Sequence, residues 1–187
     1  YAIASKLAAL EIERVDRPEL SGDWHGWLFR QVRTRDHADL GRVGIVSFNY
    51  DSLLKWSFVQ MLSSTYSLPK VEAVRQVRQW NIRHVYGALF SKFEHEDILA
   101  YRTQPTGPVP WVQHWIRLAA DREQAALAVG DDVRQLLWNA ERVVFLGFGF
   151  DATNLSRIGV GVGFPKWTSV KRRLFATAFG MPPPDRG

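Results

Sequence analysis

The chain has 187 residues, 46% hydrophobic and 13% aromatic, and a formal charge of +5; this suits one globular domain, taken as residues 1–187, with a sizeable core. No run approaches the roughly 20 apolar residues of a membrane helix and no signal-peptide pattern is visible, so a cytoplasmic protein is expected. With no Cys, disulfides, thiolate nucleophiles and every Cys-based zinc site are excluded.

The sequence starts at Tyr1 inside an apolar-periodic run (Ile3, Leu7, Leu10) and stops on "GMPPPDRG", so a fragment cut at both ends of a longer protein is expected. The first informative stretch is "GIVSFNYDSLL", residues 44–54. Ile45, Val46 and Phe48 predict a strand over 43–48 buried on both faces, as in a parallel sheet covered by helices. Asn49 and Asp51 fall where it stops. In open α/β sheets ligands bind beyond the carboxyl ends of the strands, so both are candidate ligand contacts; Asn and Asp are also common helix caps, and either could simply start the next helix.

Leu54, Phe58, Met61 and Leu62 follow helical spacing and predict a helix over about 50–63. Pro69 opens a second helical stretch, with Ala73, Val77 and Trp80 on one face. "IRHVYGALF" reads as strand, turn and restart, broken at Gly87. "YRTQPTGPVPW", with three prolines and a glycine, is a loop. A long helical region follows, its clearest stripe being Val133, Leu136, Leu137 and Ala140. "RVVFLGFGF", 142–150, predicts a second buried strand, and "RRLFATAFG" a third that also ends in small residues. Strands alternating with helices predict an α/β fold, a doubly wound and mostly parallel sheet with helices on both faces plus helical insertions, its site along one edge. The "GVGVG" run at 159–163 is a connection; no strand leads directly into it, as a phosphate-binding loop requires.

Lys166, Lys171, Arg172 and Arg173 form a basic cluster that could touch phosphates. No nucleic-acid motif accompanies it, so a solvated edge is expected and nucleic acid is not expected to bind directly. His95 in "FEHEDI" has no second His three to five residues away, and no metal site is expected there.

Three segments in this order, "SFNYD", "HVYG" and "FLGFGFDATNL", together resemble the sirtuin-like domains of bacterial NAD-consuming proteins, many of them antiphage defence effectors. The resemblance spans about Trp24 to Phe179. It implies a Rossmann-like fold, NAD as substrate or ligand, and hydrolysis to nicotinamide and an ADP-ribose product. An enzyme that depletes a shared cofactor must be restrained at rest, so a homo-oligomer or a fused or associated regulatory domain is expected. By the same resemblance Asn49 helps position the attacking water and Asp51 holds the carboxamide. Ser47, Phe48, Tyr86, Gly147, Phe148, Gly149 and Asn154 then lie along the cofactor. Cleavage of the nicotinamide bond develops oxocarbenium character at the ribose and needs a placed water more than a strong base. Asn154 also reads as a helix cap before "LSRIG".

Two features depart from the family. Its early glycine-rich segment has no counterpart here. Tyr86 stands where relatives usually carry His, with His84 two residues earlier. Residues two apart on a strand face the same side, so His84 is the candidate base, provided the strand reaches Tyr86. The sirtuins that deacylate lysine carry a four-Cys zinc module, which this chain cannot build; no zinc is expected. The alternative is a sirtuin-like module that binds a nucleotide or serves assembly without chemistry.

Overall fold

Two pairs of short parallel strands organise the protein. A computed structural model describes residues 24–34, 38, 40–41, 43–50, 52–88, 131–160 and 173–177, and the chain divides into two compact units, Tyr1–Asp121 and Arg122–Gly187.

The first unit contains α1 (Trp24–Val32), β1 (Ile45–Ser47), α2 (Leu53–Tyr66), α3 (Lys70–Gln79) and β2 (Ile82–His84). β1 and β2 pair in parallel, Ile45 with Ile82, Val46 with Arg83 and Ser47 with His84. Parallel strands cannot be joined by a tight turn, and here α2 and α3 supply the crossover. Along α2, Trp56, Ser57, Phe58 and Val59 are all buried. At 100° per residue four successive positions reach right round the helix, so α2 must be covered on several sides. α1 and α3 both pack on it.

Phe58 is the centre of this core, fully buried with its ring 5.1 Å from Trp80 and 6.3 Å from Phe29. Ala73, Val74 and Val77 present the buried face of α3. Trp80 lies just past that helix in extended backbone and reaches Phe58 from there. The Ser57 hydroxyl donates to the Leu53 carbonyl at 2.8 Å and so accepts from Nδ1 of His25 at 3.2 Å. Its one proton is committed, which makes the Ser–His contact a pin between α1 and α2 and not a nucleophile with its base.

Several boundaries differ from expectation. β1 covers three residues, not 43–48, and is half-buried; among the described residues it has one strand neighbour, and full burial needs cover on both faces. The helix begins at Leu53 after the cap residue Ser52, so Asn49 does not start it. It runs on to Tyr66, whose hydroxyl donates to the Thr34 carbonyl at 3.0 Å.

The second unit contains α4 (Asp131–Asn139), β3 (Arg142–Phe145), α5 (Ala152–Arg157) and β4 (Arg173–Ala176). β3 and β4 pair in parallel, from Arg142 with Arg173 to Phe145 with Ala176. Among its described residues, Val133, Leu137, Val143, Ile158 and Val160 are buried and apolar. The strong burial expected of 142–150 is absent. Val143 alone is buried in β3, and Val144, Leu174 and Phe175 are exposed. The strand also stops at Phe145, because Gly147 and Phe150 take positive φ of 59° and 53°, which turns the chain out of extended geometry.

The described fold is therefore mixed helix and strand with small parallel two-stranded sheets. No described helix is long and apolar enough to cross a membrane. The "YRTQPTGPVPW" loop, His95, glycines 161 and 163, and Lys166, Lys171 and Arg172 lie outside the described residues.

Candidate functional site

β1 and β2 run in parallel, so their carboxyl ends lie side by side, and there the first unit gathers polar groups. Ser47 and His84 are the terminal register partners. The Val85 N–H continues the ladder by donating to the Ser47 carbonyl at 2.8 Å. In the loop after β1, the Asn49 N–H donates to the Ser47 hydroxyl at 3.1 Å. The Asn49 carbonyl accepts from Nδ1 of His84 at 2.9 Å. A carbonyl cannot donate, so the ring proton sits on Nδ1 and the basic nitrogen of the neutral imidazole is Nε2. That atom is sealed from solvent. Asn49 itself is exposed.

β2 ends at His84. Its carbonyl accepts from the Gly87 N–H at 3.3 Å, and Gly87 has φ 81°, a region that suits glycine. The strand does not reach Tyr86, and the shared side expected of His84 and Tyr86 fails with it. Tyr86 instead sits in the turn, buried, with its ring 6.1 Å from Phe48 and 6.0 Å from Tyr50. Three aromatic rings thus flank the exposed Asn49 loop. Asp51 lies outside the described residues.

Lys55, in the first turn of α2, is lowered from 10.5 to about 8, first by burial and then by the nearby positive charge of Arg83. Sequence reasoning singled out neither Lys55 nor Tyr50. The available signal for Lys55 was a lone Lys inside the apolar run Leu53, Leu54, Trp56.

In the second unit, Gly147, Phe148, Gly149 and Asn154 follow the carboxyl end of β3. The Gly147 N–H donates to the Thr177 hydroxyl at 2.9 Å, and the Thr177 N–H donates to the Phe145 carbonyl at 3.0 Å. Phe145, Phe148 and Phe150 cluster with ring centres 5.2 to 5.4 Å apart. Among the described residues, a Cβ added at Gly147 or Gly149 would meet nothing within 4 Å. Asp151 caps α5, its Oδ1 accepting from the N–H groups of Thr153 at 2.9 Å and Asn154 at 3.1 Å. The expected capping role of Asn154 thus belongs to Asp151, and Asn154 lies within the first turn.

The structure brings Ser47, Phe48, Asn49, His84 and Tyr86 together in the first unit. Gly147, Phe148, Gly149 and Asn154 occupy the equivalent end of β3 in the second. Among the described residues no group of three or more His, Asp or Glu is placed to hold a metal ion. Protein-family models, curated proteins and solved structures were all compared with this chain, and none matches it.

Proposed function

We propose that this is a sirtuin-like domain, Rossmann-like in fold, that binds NAD and hydrolyses it to nicotinamide and an ADP-ribose product. In the full-length protein it would serve as an oligomeric or partner-regulated effector that depletes NAD in antiviral defence. The observation that carries the reading is the exposed Asn49 beyond the carboxyl ends of two parallel strands, its backbone held from both sides by Ser47 and His84. Ligands of open α/β sheets bind at this edge. Asn49 orients the attacking water and Asp51 holds the carboxamide. Within the first unit, Ser47, Phe48 and Tyr86 stand around Asn49 as the cofactor contacts of this reading.

Asn49→Ala in the full-length protein tests this. Nicotinamide release should be abolished while the circular dichroism spectrum is kept; unchanged turnover would remove the enzyme assignment.

The second reading, a nucleotide-binding or assembly module without chemistry, is favoured by the sealed Nε2 of His84 and by a Tyr at the family's His position. NAD binding with no nicotinamide release from the wild-type protein would select it.

A further inference from the structure

The two peptide groups of Asn49 are tied at both ends. Its N–H is taken by the side chain of Ser47, two residues back at the end of β1. Its carbonyl is taken by the side chain of His84, from the other strand of the pair. The first contact is local, of the kind a Ser hydroxyl makes with the backbone two residues on. The second spans 35 positions of sequence, so it records tertiary structure and not a loop preference. His84 is itself well anchored, since it ends β2 opposite Ser47 and its carbonyl closes the turn at Gly87.

We propose that His84 is a positioning residue, whose Nδ1–H holds the Asn49 main chain and thereby aims the exposed Asn49 side chain. Its contribution to catalysis rests on the NAD reading above, but the hold on the loop does not. A side chain on a free loop would sample several directions, and a misplacement of about 1 Å can cost about 10²-fold in rate. The proposal separates the two ring nitrogens: positioning uses Nδ1, while a base would use Nε2.

Amide side chains distinguish the two. In His84→Asn the Nδ2–H group lies near the place of Nδ1 and can still donate to the Asn49 carbonyl. In His84→Gln the amide reaches toward the place of Nε2. Neither amide is a base at neutral pH.

Wild type, His84→Ala, His84→Asn and His84→Gln would be compared in the full-length protein by NAD turnover and by amide hydrogen exchange across residues 47–50. His84→Ala should lower turnover about 10²-fold and speed exchange in that loop. His84→Asn should recover most of both, and His84→Gln neither. The proposal is overturned if loop exchange in His84→Ala matches wild type, or if His84→Asn is no better than His84→Ala in exchange. Should the wild-type protein release no nicotinamide, the NAD reading fails alone, and the exchange comparison still decides the role of His84.

Discussion

Ser47 and His84 stand opposite each other at the end of the β1–β2 ladder, and both reach Asn49, one at its N–H and the other at its carbonyl. Ser47→Ala removes the hydroxyl acceptor and should destabilise the protein by about 1 kcal/mol, the usual net worth of one hydrogen bond. Ser47→Thr keeps the hydroxyl and should cost less. Under the NAD reading, Ser47→Ala should slow nicotinamide release while Asn49→Ala stops it. Denaturant melts with a turnover assay check both, and equal losses in Ala and Thr variants would contradict the role of the hydroxyl.

Tyr86 is enclosed by Phe48 and Tyr50, so its ring is part of the packing. Tyr86→Ala should cost about 3–5 kcal/mol, the range for emptying an aromatic site in a core. Tyr86→Phe keeps the ring and should stay within about 1 kcal/mol. Under the NAD reading the larger loss of turnover should follow His84→Ala, because the His84 ring holds the Asn49 carbonyl and Tyr86 does not. A Tyr86→Phe protein that folds normally and yet loses all turnover would exchange those roles.

Lys55 gives a pH dependence of definite sign. The unfolded chain keeps this proton up to about pH 10.5, while the folded protein releases it near 8. Between those values the unfolded state binds more protons, so stability rises with pH. Below about pH 8 the folded protein bears the whole cost of a buried ammonium beside Arg83, on the order of 1–3 kcal/mol. Lys55→Met should therefore be the more stable protein at pH 7, and its advantage should shrink as pH rises from 8 to 10.5. Paired urea titrations across that range measure the difference directly; an advantage independent of pH would exclude Lys55 as the source.

With no Cys in the chain, the four-Cys zinc module of lysine-deacylating sirtuins cannot form. Under the NAD reading, acetyl-lysine peptides should pass through unchanged, and chelators should leave nicotinamide release unaffected. Chelator-sensitive deacylation by the full-length protein would place its substrate class elsewhere.

Features that depend on local geometry are legible in the sequence. Gly87 marks the break after β2 because a positive φ there suits glycine, and the helical spacing of Leu54, Phe58 and Leu62 identifies the core face of α2. Features that depend on distant residues are not. Asn49 looks like a cap by type and position, yet its carbonyl is engaged by His84 from the next strand. Asn154 likewise looks like a cap, but Asp151 three residues earlier takes that part, and a sequence with two eligible residues does not say which one wins. Alternating Phe residues read as a continued strand through 150. The turn at Gly147 instead folds Phe148 and Phe150 back onto Phe145, an outcome set by side-chain packing that a period-two pattern does not carry. The exposure of β3 and β4 was illegible for a related reason: an apolar run states what a strand could bury and not what lies against it.

The crossover between β1 and β2 also bears on how the molecule assembles. α2 and α3 are linked through residues 67–69 alone and pack directly, whereas Ile45 must find Ile82 across both helices. Closing the longer loop costs more chain entropy, so the helical hairpin should form first and the strand ladder later. Truncating Phe58 or Val77 should then slow refolding, while truncating Ile82 should mainly hasten unfolding, a contrast that a stopped-flow chevron can read. A ladder that closes last is also the part with most to gain from a bound ligand, and occupancy beyond its carboxyl ends would act as a kinetic lock on the unit.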